Sequence, residues 1–145
     1  DGPARLEFET MVSDFGLSSL ISFHGMIPNS QVPEVLEQLD IYAIPSIHES
    51  FGVAAVEAMA AGLPVIASDA PGLLEIIEHD VSGVIVKSGD AIELARALHA
   101  LMNRPEKRKV LGAKARSIVE QRFEFTKNAE CLVDALAKTI AKSKA

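Results

Sequence analysis

Three short apolar runs constrain this chain more than any other feature. Residues 41–45, 63–67 and 83–86 are each apolar without alternation. A strand open to water on one face alternates polar and apolar residues, whereas a strand covered on both faces reads as a continuous run. Each run is followed by a turn and then by residues at helical spacing. Strands alternating with helices predict a parallel sheet with helices on both faces, a Rossmann-like α/β fold. A fourth apolar run at residues 20–23 is read as a further strand.

Helical segments fill the intervals. Residues 3–15 predict a helix opened by Pro3, stopped by Gly16 and buried through Leu6, Met11 and Phe15. Asn29 or Ser30 is placed to cap a helix over 32–38, with Val32, Val35, Leu36 and Leu39 on one face. Residues 52–61 predict a helix stopped by Gly62, and residues 71–78 a short one. Three helices close the chain. Their expected buried faces are Ile92, Ala95, Leu98 and Met102, then Val110, Leu111, Ala115, Ile118 and Val119, then Leu132, Val133, Leu136 and Ile140.

The 145 residues suffice for one domain with a core. A formal charge of −6 argues against nucleic acid as a partner, because no basic stripe is present to neutralise phosphates. One cysteine, Cys131, rules out an internal disulfide framework and suits a reducing compartment. No apolar run approaches the roughly 18 residues of a membrane span. No His/Cys/Asp cluster has the spacing of metal ligands.

The chemistry concentrates at residues 49–57, ESFGVAAVE, between the strand at 41–45 and the helix that follows. A glycine turn feeding a helix start presents free backbone N–H groups and the positive end of the helix dipole, which together suit a phosphate. Phe51, Gly52, Val53 and Ala54 carry those groups, with Gly52 permitting close approach and the alanines keeping it narrow. Glu57 lies four residues after Val53 on the same helical face, within reach of a sugar attached to that phosphate. Its flanking alanines predict that it is not freely solvated. Read without a ligand, Gly52 is a turn glycine, Glu57 supports the helix start, and Glu49 bonds the backbone of Phe51 or Gly52.

The assembled string resembles a known family. Two glutamates seven residues apart, with SFG after the first and AMAAGLPVI after the second, are similar to the signature of the retaining GT-B glycosyltransferases of family 4, the glycosyl transferases group 1. FHGMIPNSQVPEVLEQLDIYAIPS and SDAPGLLEIIEHDVSGVIVKSGDAIELARAL extend the likeness over about residues 1–125. In place of the family's frequent Gly-Gly this chain has Pro71-Gly72, and Glu75 matches a family glutamate.

The resemblance implies a C-terminal, donor-binding GT-B domain that binds a nucleotide-diphosphate sugar for transfer with retention. It implies that Glu57 holds the ribose and that Glu49, the candidate catalytic group, lies near the transferred sugar. It also implies that Met26 and Ile27 hold the base, and that neither metal nor cofactor is needed. The opening DGPAR resembles a family G-D-G-P, so the chain is expected to be a single partial domain, with residues 125–145 as its last helix. The expected missing portion is the N-terminal domain and the first strands, which carry the family's Arg and Lys at the diphosphate. That loss predicts exposed sheet edges, apolar surface, self-association and little catalysis from the chain alone. The expected location is the cytoplasm, with peripheral membrane association of the full-length protein. A non-catalytic nucleotide-sugar-binding module and a GT-B nucleotide-sugar epimerase are the alternatives; base, sugar and acceptor stay open.

Overall fold

The computed structural model describes residues 2–124, 126, 128–130 and 132–136. The chain divides into two compact units, Asp1–Val35 and Leu36–Ala145.

In the first unit, α1 (Arg5–Asp14) forms as its sequence suggests. Arg5 pairs with Glu9 one turn on, at 2.7 Å, and Gly16, at φ +68°, ends the helix. The expected buried side is not buried: Leu6, Met11 and Phe15 are all exposed. A unit of this size has too little surface of its own to enclose a core. The strand expected at residues 20–23 is absent. The Leu20 and Ile21 N–H groups both turn back to the Leu17 carbonyl, at 2.9 and 3.2 Å, so the segment is a turn without a ladder partner. Asn29–Gln31 forms a 3-10 turn with no side-chain cap. The chain then enters α2 (Val32–Leu36), of which only Leu36 is buried.

The second unit contains β1 (Tyr42–Ile44), α3 (Val53–Ala60), β2 (Val65–Ser68), α4 (Pro71–Leu74), β3 (Gly83–Val86), α5 (Ala91–Met102) and α6 (Pro105–Arg122). Its strands form a parallel sheet in the order β1-β2-β3, with Tyr42 opposite Val65 and Val65 opposite Gly83. Every residue of the central strand β2 is buried. Ile66 joins Val86, Leu101 and Leu111 in a core against which Leu94, Ala97 and Leu98 pack. Val65 and Ala67 point the other way and are equally buried. The sheet is thus covered on both faces at its centre, the Rossmann-like α/β arrangement. At the edge the cover fails: Ala43 in β1 is exposed, contrary to the continuous burial expected of 41–45.

Two helix contacts fix α3. Gly62, at φ +80°, ends it in a Schellman turn, with Gly62 N–H to the Met59 carbonyl and Leu63 N–H to the Ala58 carbonyl, each 3.0 Å. Gly112 of α6 then packs on the Gly62 carbonyl so closely that a Cβ there would stand 2.0 Å from the oxygen.

The helix faces differ from the sequence reading. In α5, Ile92 and Met102 are each 65% exposed and Ala95 is also exposed, whereas Leu94, Ala97, Leu98 and Leu101 face the core. Both stripes have helical spacing; packing on β3 selects the second. In α6, Leu111, Ala115, Ile118 and Val119 are buried as expected, but Val110 is exposed and Gly112 takes the place facing α3. Leu132, Val133 and Leu136 are helical but exposed, because no described element covers them. Ile140 and Cys131 lie outside the described residues.

Candidate functional site

The helix start predicted from SFG is present. Gly52 sits immediately before α3 at φ +93°, a left-handed conformation that favours glycine. Its carbonyl accepts from the Ala55 and Val56 N–H groups at 2.9 and 3.1 Å and so opens the helix. Gly52 is buried, and a Cβ on it would stand 2.7 Å from Leu73 Cδ2. Leu73 and Ile76, from and just after α4, therefore set the depth at which the turn sits.

Glu49 engages two of the candidate amides itself. Its Oε1 accepts from the Gly52 N–H at 3.1 Å and, more weakly, from the Phe51 N–H at 3.4 Å. The carboxylate stands where an anion at a helix start is favoured. The sequence left this pairing open as the ligand-free reading of Glu49. The two amides that follow, Val53 and Ala54, have no acceptor among the described residues. Both residues are exposed, and first-turn amides point along the helix axis, out past its N-terminus.

Glu57 shares this exposed face. The expectation that its alanine neighbours would keep it from solvent is wrong: Glu57 is exposed, while Ala55, Ala58 and Met59 turn into the core. One helical turn separates Val53 from Glu57, so an exposed carboxylate lies one turn along the helix from the two free amides at its start.

Tyr42 of β1 lies close to both glutamates. Partial burial first, then the charges of Glu57 and Glu49, hold its phenol above the usual 10.0. The sequence reading passed over Tyr42 as part of an apolar run, although a phenol at that position was a signal.

The loop is braced from behind. Gly72 of α4 donates its N–H to the Glu49 carbonyl at 3.2 Å, and Ser68 Oγ, buried at the end of β2, donates to the Ser46 carbonyl. Of the Pro71-Gly72 step only Gly72 carries an N–H, and this contact uses it. Asp69 follows β2 and accepts from the Ser88 N–H at 2.7 Å, which holds its carboxyl below the usual 3.8. Glu75 sits at the end of α4, exposed.

His48 is exposed. Met26 and Ile27 lie in the first unit, in a stretch without regular secondary structure, Met26 exposed and Ile27 half-buried. Among the described residues, no group of three or more His, Cys, Asp or Glu is placed to hold a metal ion. No helix among them is long and apolar enough to cross a membrane.

The arrangement offers two free amides at a dipole end, an exposed carboxylate one turn on, and a second carboxylate at the turn. Known proteins resemble the chain as a whole in sequence and fold. A D-inositol 3-phosphate glycosyltransferase of Corynebacterium kroppenstedtii is 36% identical over 143 residues, which is 98% of this chain and 32% of the relative. A sucrose-phosphate synthase from Thermosynechococcus elongatus superposes with a TM-score of 0.90 at 29% identity, over 97% of this chain and 35% of its own. The Anabaena protein HepE, solved with UDP and glucose, superposes at 0.86 and 28% identity, over 92% of this chain and 36% of its own. The fold is that of the GT-B glycosyltransferases. The chain spans about a quarter to a third of the length of the curated relatives it matches. The family profile described as glycosyl transferases group 1 matches residues 1–118, and this chain belongs to that family.

Proposed function

We propose that this chain supplies the donor-binding part of a retaining family 4 glycosyltransferase, which transfers a hexosyl group from a nucleotide-diphosphate sugar to an acceptor and releases the nucleotide diphosphate. One observation carries the reading. The free Val53 and Ala54 amides stand at the start of α3, and the exposed Glu57 carboxylate lies one turn along it. The amides meet the diphosphate, and the carboxylate, which only accepts hydrogen bonds, takes the ribose hydroxyls. HepE, a similar structure, was solved with UDP and glucose, which supports a nucleotide-sugar ligand.

Glu49 is assigned to the sugar side. Its Oε1 fixes the Phe51 and Gly52 amides, which leaves its second oxygen for a sugar hydroxyl or for positive charge developing at the anomeric carbon. The departing nucleotide diphosphate carries the negative charge of the reaction, and preorganised donors stabilise it. On the family resemblance, Met26 and Ile27 contact the base and no metal is needed, so chelation is expected to leave nucleotide binding unchanged. The resemblance assigns the acceptor to the remainder of a longer protein, so the chain alone is expected to bind donor without appreciable turnover. The same reading expects a cytoplasmic location, with the full-length protein peripheral at the membrane.

Calorimetric titration of the full chain with UDP, GDP and ADP tests the proposal. Binding of one of them is expected, weakened by about 1–3 kcal/mol in Glu57→Ala. Absence of binding by the unaltered chain would overturn the donor reading. Equal binding by the variant would overturn the ribose assignment.

A further inference from the structure

The turn that carries the donor amides is held by residues to which neither the motif nor the family match assigns a role. Phe51 meets Phe123 edge to face, with ring centres 5.8 Å apart and planes at 84°. Phe123 directly follows the last residue of α6. Beside it, the Arg122 guanidinium lies 5.5 Å from the Phe123 ring centre, and its Nη2 donates to the Glu75 carbonyl at 2.9 Å. Glu75 closes α4, the helix whose Gly72 donates to the Glu49 carbonyl and lies against the Ser50 backbone.

These contacts make a closed circuit. From Phe51 it runs through Phe123 to Arg122, across to the end of α4, and back through Gly72 to Glu49 and Ser50. The loop of residues 49–52 is thus gripped twice, by backbone contact at Gly72 and by ring contact at Phe123, and Arg122 ties the grips together.

We propose that Phe123 and Arg122 are positioning residues for the donor site. They hold the Phe51 ring and so fix the peptide groups at Phe51 and Gly52 that aim the start of α3. Phe51 is 44% exposed, Phe123 half-buried and Arg122 exposed, so the rings and the guanidinium lie at the rim of the core, whereas Gly72 at the other grip is buried. Its effect is local order at the turn. The step from an ordered turn to nucleotide binding rests on the function proposed above.

The test uses the full chain and three variants, Phe123→Ala, Phe123→Tyr and Arg122→Ala. Amide hydrogen exchange is read at Gly52 and Ala55, whose N–H groups are bonded to Glu49 Oε1 and to the Gly52 carbonyl, and, for comparison, at Ile66 in the core. Affinity for UDP or GDP is read by calorimetry. Phe123→Ala is expected to speed exchange at Gly52 and Ala55 without changing Ile66, and to weaken nucleotide binding about three- to tenfold. Phe123→Tyr, which keeps an aromatic ring at the position, is expected to retain both readings of the unaltered chain, and Arg122→Ala to shift them in the direction of Phe123→Ala. Unchanged exchange at the turn would overturn the positioning role. So would a rise that Ile66 shares, because that reports global destabilisation. Faster local exchange with unchanged affinity would overturn the link to the donor. An unaltered chain that binds no nucleotide would defeat the donor reading and with it that link, while the exchange data would still decide the grip.

Discussion

Gly72 lies against Ser50 with no room for a side chain. A Cβ on Gly72 would stand 2.5 Å from the Ser50 carbonyl carbon and 2.7 Å from both the Glu49 carbonyl oxygen and the Phe51 nitrogen. All three are backbone atoms, so none can rotate aside. Gly72→Ala is therefore expected to destabilise the protein by about 1–3 kcal/mol, the usual cost of overpacking. It should also displace the loop carrying Glu49, Phe51 and Gly52. Urea unfolding reads the first effect and nucleotide titration the second. A variant with unaltered midpoint and affinity would mean that the loop is free to retreat.

Gly112 gives a prediction in which two effects oppose each other. Helix propensity alone favours Gly112→Ala by about 1 kcal/mol, because the site is interior to α6. The Gly62 carbonyl, 2.0 Å from the added carbon, opposes it. Forcing α3 and α6 apart reaches the upper end of overpacking costs, so a net loss of about 2 kcal/mol is expected. A rise in the urea midpoint would show that propensity outweighs the contact.

Tyr42 is the only tyrosine in the chain, so its ionisation can be followed by ultraviolet absorbance without interference. The phenol is expected to titrate above 10.0, because of burial and then of the charges at Glu57 and Glu49. Removing one charge, in Glu57→Gln or Glu49→Gln, should lower the midpoint. A raised phenol pKa favours the fold below pH 10.0, and that contribution is lost as pH rises through the folded value. Titrations that ignore both substitutions would remove Tyr42 from the neighbourhood of the glutamates.

Asp69 predicts an acid limb. The Ser88 amide holds its carboxyl below 3.8 in the fold. A depressed carboxyl pKa contributes stability that is present above the unfolded value and lost as pH falls through the folded one. Thermal melts from about pH 6 down to about pH 2 should show part of the decline below 3.8 disappearing in Asp69→Asn, whose amide oxygen still accepts but carries no charge. Parallel melting curves for the two proteins would assign the acid limb to other groups.

The alternation of apolar runs and helical spacing was enough to find β1, β2, β3 and the helices between them. Glycine placement was enough to find the turns at Gly16, Gly52 and Gly62, each with positive φ. The glutamates and the helix start were also legible, because four-residue spacing along a helix fixes which residues share a face. The burial of Glu57 was misread from its alanine neighbours, since composition along a helix says nothing about which side meets the sheet.

Local sequence thus determined the element types and the order in which they occur, because periodicity and turn chemistry act between near neighbours. Tertiary structure decided the rest. Spacing gives two acceptable stripes on α5, and only contact with Ile66 and Val86 turns Leu94 and Leu101 inward and leaves Ile92 and Met102 outside. The run at 20–23 had strand composition, yet a strand exists only where another chain segment pairs with it. Phe51 and Phe123 are 72 residues apart in the chain, and no local pattern can bring their rings together. The same holds for Gly72 and Ser50, where a missing side chain matters only because another backbone passes within reach.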